Sequence, residues 1–347
     1  MTETPWVELL GWLRAGDQRG ATGLVLSLVD RGMAIGDLVD EVLAPAQSAV
    51  GESWARDEVS VATEHRATAI TQAVLELAEA RRQAPLVVAG PVVPVLCCEG
   101  EWHTLAARMA AAVLRERGVG VAVVGPSLPA RDVGPFLATD PSPVVLVASS
   151  RPANLLGTWR IVSEVRRAGA WVVGGGRGFG RDGAWAAGTG VDHWCPTFRS
   201  GGDAAERLLT EPPPPGPREP VAAGTAWTDV VLLLGQQAAL VERAAAAVLG
   251  DRSTLLLDDG SALFRDEVGS LLEAVAAAVL AEDRSLVVEH VEWLESVIGA
   301  RRLPLHLVHA AAVAISRELA SLPRLAEAAQ WAASAATQPS EPLAGWR

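Results

Sequence analysis

The sequence predicts a chain of mixed class: an N-terminal four-helix bundle, a doubly wound parallel sheet, and a C-terminal all-α domain. Three observations carry this expectation. Apolar residues recur at helical spacing through residues 1–83. Short β-branched runs then alternate with Ala-, Leu- and Arg-rich stretches through residues 84–210, the pattern of a parallel sheet with helices on both faces. Behind a proline run, residues 226–335 return to Ala- and Leu-rich helical periodicity. A length of 347 residues leaves room for two or three such domains.

In the first region, Trp6, Leu9, Leu10 and Leu13 mark one helix, and Leu24, Leu26, Leu28 and Val29 a second. A third runs over 37–54 and a fourth over 60–82, with Ser60 placed as its N-cap. Four helices with short loops make a bundle the economical arrangement. In the second region the apolar runs at 92–96, 120–124, 144–148, 170–173 and around Val191 read as strands. Their near-continuous apolar character fits a Rossmann-like sheet covered on both sides. The proline-rich stretch beginning at Glu211 predicts a stiff linker over 211–225. Helices are expected at 229–249, 266–281, 286–299 and 304–320, with Pro304 near a helix start and a loose tail at 336–347.

Composition removes whole mechanisms. Against 41 acidic residues stand 29 basic ones, a net charge of −12 that argues against a direct nucleic-acid partner. Every basic residue is arginine, so a lysine Schiff base and a lysine-bearing P-loop are both excluded. Cys97, Cys98 and Cys195 are too few, and odd in number, for a disulfide framework. The most apolar stretch, 86–98, is broken by Pro91 and Pro94 and falls short of the ~20 residues of a membrane helix. The first thirty residues lack the basic start and apolar run of a signal peptide, and the expected setting is cytoplasmic, away from any membrane.

The first chemical constellation is Glu99-Gly-Glu101-Trp102-His103-Thr-Leu-Ala106, which follows the first strand and opens a helix. Ligands of doubly wound sheets bind at the carboxyl ends of strands. His103 there could ligate a metal through one ring nitrogen while Glu101 takes the other N–H. A surface histidine at a helix start fits the spacing equally. The segment resembles the cobalamin-binding domain, whose signature is Asp-x-His-x-x-Gly. Here Glu101 replaces the aspartate and Ala106 the glycine. Ser149-Ser150 and Gly174-Gly175-Gly176 stand where that family has a serine motif and a double glycine. The resemblance implies that His103 ligates cobalt from below, and that the cobalamin tail lies beside the serines and glycines.

The second constellation is Trp54 followed, after nine residues, by Glu64-His65. On its own it fits an ordinary buried tryptophan with two exposed polar residues. The spacing resembles the Trp-x9-Glu-His motif of cobalamin-dependent photoreceptors of the carotenoid-repressor type, in which a four-helix bundle covers the upper face of adenosylcobalamin. That resemblance implies Trp54 as the wall against the adenosyl group, with Glu64 and His65 as polar neighbours. Two departures stand out. The chain opens directly on the bundle, without the repressors' DNA-binding segment. Ala55 replaces the histidine that often follows the tryptophan, leaving His65, His193 or water to take its part after photolysis.

In the C-terminal region the polar features are His290 with Trp293, and Arg301-Arg302 with His306 and His309. Arginine forks suit the propionates of an anionic tetrapyrrole, and aromatic faces suit its rings. A plain helical dimerisation module fits the same residues. The order of domains resembles the photocobilins, which hold both cobalamin and a bilin such as biliverdin. The resemblance implies a light sensor, not an enzyme, that signals through a light-dependent homo-oligomeric state or a protein effector. Two alternatives remain open: a corrinoid methyl carrier for a methyltransferase, and a light-independent cobalamin sensor with a haem-binding globin-like domain. With no cysteine after Cys195, a bilin held wholly within this domain could not be attached through a thioether.

Overall fold

The computed structural model describes residues 4–82, 90–211, 216, 218, 224–249, 258–301 and 305–336. The chain forms two units, residues 1–151 with 157–220, and residues 152–156 with 221–347.

The first unit opens with α1 (Pro5–Ala15) and α2 (Gln18–Asp30), whose N-terminus is capped by Asp17 accepting from the Gly20 N–H at 2.9 Å. The expected third helix is three pieces: α3 (Ile35–Leu38), a π turn at Val39–Leu43, and α4 (Ala44–Ala55). Pro45 explains the break, because a proline in a helix interior has no N–H to give the ladder and the local winding must change. Helix α5 (Val61–Arg82) begins at Ser60, whose Oγ accepts the Thr63 N–H at 3.1 Å.

The sheet has five parallel strands in the order β2-β1-β3-β4-β5: β1 (Val93–Cys97), β2 (Val121–Val124), β3 (Val144–Ala148), β4 (Trp171–Gly175) and β5 (His193–Cys195). The two-residue period of the strands sorts their side chains. Val93, Val95, Cys97, Val144 and Leu146 pack with α6 (Leu105–Glu116) and α10 (Phe198–Thr210). Leu96, Cys98, Val145 and Val147 point the other way, onto α7 (Ala130–Thr139) and α8 (Leu155–Arg167). Each fully buried Leu or Val contributes roughly 1.5–3 kcal/mol. The short helix α9 (Ala186–Thr189) leads into β5.

Helix α6 welds the bundle to the sheet. Its Ala107, Ala111 and Leu114 belong to the sheet core, while Leu105, Met109, Ala112 and Val113 join the core of the bundle. The join is reinforced by reciprocal capping. Glu116 of α6 accepts the Ile35 and Gly36 N–H groups at 2.8 and 3.1 Å. Asp40 of the π turn accepts those of Phe198 and Arg199 at the start of α10, at 2.8 and 3.1 Å.

The second unit is helical: α11 (Gly224–Leu234), α12 (Gln237–Leu249), α13 (Asp258–Ala281), α14 (Arg284–Ala300), α15 (His306–Glu318) and α16 (Pro323–Ala335). The single helix expected at 229–249 is two, bent by 73° at Gly235-Gln236. Helix α16, with Pro323 in its first turn, is an element the sequence pattern did not separate. The linker is not a free spacer throughout. The Arg218 N–H donates to the Arg166 carbonyl at 2.9 Å, its guanidinium lies 4.3 Å from the Trp171 ring centroid, and its Nη1 reaches Asp192 at 2.5 Å. Residues 212–215, 219–223 and the tail 337–347 fall outside the described residues. Among the described residues no single helix is long and apolar enough to cross a membrane.

Candidate functional site

Strand order places the site. The chain leaves β1 towards β2 on one side and reaches β3 on the other, so the sheet reverses direction between β1 and β3. Loops splay apart at such a switch point and open a crevice at the carboxyl strand ends. Glu101, Trp102 and His103 follow β1, and Ser149 and Ser150 follow β3, so the two predicted motifs flank this crevice.

Glu101 is the centre of the site. It is 1% exposed and satisfies two partners at once. Its Oε1 accepts the backbone N–H of His103 at 2.9 Å and meets His103 Nδ1 at 2.7 Å. Its Oε2 accepts the Ser150 N–H at 2.6 Å and the Ser150 hydroxyl at 2.5 Å. Burial works against the charged form, but the hydrogen bonds from His103 and Ser150 win and hold this carboxyl down to about 2. The bond to Glu101 raises His103 above its ordinary value, against burial and the Arg151 charge; Glu64 raises it further. The His103 side chain is 62% exposed, and among the described residues no hydrogen bond reaches its Nε2. One ring nitrogen is therefore fixed by a carboxylate and the other is left without a hydrogen bond among the described residues; in the neutral Nδ1–H tautomer that nitrogen would offer a lone pair, the arrangement of a metal-ligating imidazole. Trp102 beside it is 71% exposed.

The serine and glycine motifs meet as one cradle. Ser149 Oγ is buried with the weak thiol of Cys98 as its sole hydrogen-bonding neighbour among the described residues. The Gly178 N–H donates to the Ser149 carbonyl at 2.9 Å, and the Ser149 N–H to the Gly175 carbonyl at 3.1 Å. Gly176 has φ +107°, and a Cβ there would stand 2.2 Å from the Ser149 oxygen. A Cβ on Gly178 would stand 2.1 Å from Ser149 Oγ, and one on Gly174 2.8 Å from the Phe179 ring. Only glycine lets this loop come so close. The sequence reading missed Gly178 and Arg151, because neither falls within a motif spacing. Burial pushes the Cys97 and Cys98 thiols up to about 11 and about 12, so neither supplies a thiolate near neutral pH. Among the described residues no group of three or more His, Cys, Asp or Glu could hold a bare metal ion. A single exposed imidazole beside a glycine-lined crevice, with a buried hydroxyl met only by a weak thiol, fits a metal that brings its own equatorial donors, as a corrin does.

Trp54 lies half-buried in the last turn of α4, Glu64 in the first turn of α5 and His65 directly after it. Glu64 Oε2 meets His65 Nδ1 at 2.5 Å, and Glu64 Oε1 accepts the Thr68 hydroxyl at 2.9 Å. Arg177, in the glycine loop after β4, places its Nη2 3.8 Å from Oε1 of Glu52 on α4, which brings this end of the bundle to the strand-end site. His193 stacks on Trp171, the first residue of β4, at the opposite end of that strand from the glycines. It is not placed as an upper ligand.

In the second unit, His290 and Trp293 form a pair with ring centroids 5.7 Å apart. His290 is 2% exposed, and its Nε2 is engaged by the Ser270 hydroxyl at 2.8 Å. Arg301 sits at the far end of α14, about 16 Å along the axis at 1.5 Å per residue, with Nη1 donating to the Val297 carbonyl. His306 is exposed at the start of α15, His309 Nδ1 meets the Ala333 carbonyl at 3.0 Å, and Arg302 lies outside the described residues. The structure thus brings His290 and Trp293 together on one helix face, with the imidazole held by Ser270, and sets Arg301 apart from them at the end of the helix.

Fold and site together define an α/β unit with a crevice at its switch point and a helical bundle packed on α6. Residues 8–79 match the family described as the B12 binding domain. In fold the chain is similar to the monomethylamine corrinoid protein of Methanosarcina barkeri, at 13% identity over 59% of this chain and 98% of that one, with a TM-score of 0.51. Similarity also extends to a cobalamin-binding protein from Desulfitobacterium hafniense DCB-2, at 14% identity over 58% of this chain and 97% of that one, TM-score 0.32. No curated protein matches. The family match over residues 8–79 supports cobalamin binding by the first unit, and the likeness to the Methanosarcina barkeri protein shows its fold.

Proposed function

We propose that the first unit holds adenosylcobalamin and that the protein is a cytoplasmic light sensor, not an enzyme. The observation that carries this reading is the outward Nε2 of His103, fixed through Nδ1 by a buried Glu101 and faced by Glu64 from the bundle. His103 would give its Nε2 lone pair to the cobalt, while Glu101 keeps the proton on Nδ1 and the ring in one orientation. Ser149, Ser150 and the glycines of 174–178 would line the tail, and Trp54 would wall the upper ligand. When bound, adenosylcobalamin supplies a cobalt–carbon bond that visible light breaks. Trp54 would hold the bundle against the upper ligand, so loss of that ligand would change the contacts of the bundle, the differential interaction that a switch requires. Output would be a change of homo-oligomeric state or of a protein effector.

For the second unit the proposal is a bilin such as biliverdin, supported by the resemblance in domain order. The competing function is a corrinoid methyl carrier, which the fold likeness to a protein named as a corrinoid protein favours. A carrier needs an upper face open to its partners, and Trp54 at the facing end of the bundle stands against that.

The test is an absorption spectrum of the protein loaded with adenosylcobalamin and biliverdin, before and after green light. Light-driven loss of the alkyl-cobalamin spectrum, with a shift in elution volume, supports the sensor. A spectrum that bleaches no faster than free adenosylcobalamin, with no change in size, overturns it. Haem uptake with no bilin uptake would make the second unit a haem module.

A further inference from the structure

A line of hydrogen bonds inside the bundle runs to Glu64, and its polarity is fixed. Glu64, Thr68 and Thr71 are spaced i, i+4 and i+7 on α5, one face of that helix. Gln47 of α4 reaches across to them. The Thr71 hydroxyl contacts Gln47 Oε1 at 3.1 Å, sharing its proton with the Ala67 carbonyl at 2.9 Å. Gln47 Nε2 donates to Thr68 Oγ1 at 2.6 Å, and Thr68 Oγ1 to Glu64 Oε1 at 2.9 Å. A hydroxyl has one proton. With the Gln47 amide donating into Thr68 Oγ1, that single proton goes to Glu64. The second carboxylate oxygen is then left for His65 Nδ1 at 2.5 Å.

Thr71 is wholly buried and Glu64 is one-fifth exposed, so this polar line occupies a helix–helix contact that apolar side chains would fill at lower desolvation cost. Packing does not require it. Orienting a carboxylate does. With the Gln47 amide donating into Thr68 Oγ1, the hydroxyl proton cannot turn towards Gln47, and it goes to the Glu64 carboxylate at 2.9 Å.

We propose that Gln47 and Thr68 are positioning residues that aim the Glu64 carboxylate, and that through it they set selectivity for an upper ligand carrying hydroxyl donors. The adenosyl group offers a ribose diol to an acceptor, and a methyl group offers nothing. The selectivity half rests on the proposed adenosylcobalamin reading; the aiming of Glu64 is a property of the protein alone.

The experiment has two readouts on the full chain. The first is the ¹⁵N spectrum of the neutral His65 ring without cofactor. Wild-type protein should show the Nδ1–H tautomer, because the oriented carboxylate accepts there. In Thr68→Val and Gln47→Glu the ring should revert to the ordinary Nε2–H tautomer, and in Thr68→Ser it should not. Gln47→Glu acts by reversing the line, since a carboxylate at 47 makes Thr68 donate backwards; circular dichroism checks that each variant is folded. The second readout is binding of adenosylcobalamin against methylcobalamin. Thr68→Val and Gln47→Glu should lose about tenfold of any preference for the adenosyl form, the scale of one hydrogen bond to a charged group, and Thr68→Ser should keep it. An unchanged tautomer in folded Thr68→Val overturns the positioning role whatever the binding shows. A tautomer that switches as expected, in a protein whose wild type has no adenosyl preference, upholds the aiming of Glu64 and overturns the adenosylcobalamin reading with its selectivity.

Discussion

Glu101 decides what the site is at the scale of a residue. A carboxylate this buried would ordinarily rise towards neutrality, yet its four hydrogen bonds, two of them from Ser150, keep it charged. The sign of the pH dependence follows. Glu101 falls from 4.5 in the open chain to about 2, so its contribution is full above about pH 4.5 and is lost between there and 2. His103 is raised above 6.5, so its contribution is present below 6.5 and fades as pH climbs through the folded value. The pair should therefore stabilise the cofactor-free protein most between about 4.5 and 6.5. Glu101 supplies about 3 kcal/mol of this on the acid side, an order-of-magnitude figure. Denaturant midpoints measured from pH 2 to 8 should show that slope in wild type, and Glu101→Gln should flatten it below pH 4.5. Equal acid slopes in both proteins would mean that Glu101 is not held charged.

Among the elements, local rules explain where the sequence was readable. Ser60 caps α5 where its side chain and position predicted, and 144–148 is a strand with the expected bounds. The breaks were less legible. Pro45 could have flagged the π turn, but the 73° bend at Gly235-Gln236 depends on packing within the second unit, which no single segment encodes. The switch point needs the strand order, and the order exists only once β3 chooses β1 as its neighbour. Likewise Gln47 carries no motif; its partner Thr68 lies 21 positions away on another helix. Glycines give a clean contrast at this scale. Gly176→Ala puts a methyl group 2.2 Å from the Ser149 oxygen at φ +107°, so it should destabilise by several kcal/mol and weaken cobalamin uptake. Gly23→Ala, inside α2 with nothing within 4 Å of the added carbon, should stabilise by about 1 kcal/mol. Thermal melts of the two variants would decide it: similar shifts of the same sign would show that neither backbone position is special.

For the whole molecule, the decisive feature is where the first unit ends. Composition suggests a rigid proline spacer leaving from the end of α10, but the chain is caught again at Arg218. Asp192 is the anchor: it accepts from Arg166 Nη1 at 2.8 Å, from Arg218 Nη1 at 2.5 Å and from the Val172 N–H at 2.8 Å. The Arg218 guanidinium also donates to the Ala170 carbonyl and covers Trp171. A cation held by a carboxylate, a carbonyl and an aromatic face is stabilised by more than an exposed ion pair, whose contribution is about 0–1 kcal/mol. Arg218 is thus held against the first unit, inside the 211–225 stretch that composition reads as a stiff linker. Trypsin reads this directly, because it must draw Arg218 into an extended conformation before cleaving after it. Wild-type protein should resist at Arg218 under native conditions. Asp192→Asn keeps an acceptor for the Val172 N–H but removes the charge shared by the two arginines, so cleavage at Arg218 should accelerate severalfold while the rest of the first unit stays resistant. Equal cleavage rates at Arg218 in the two proteins would show that Asp192 does not clamp the chain at Arg218.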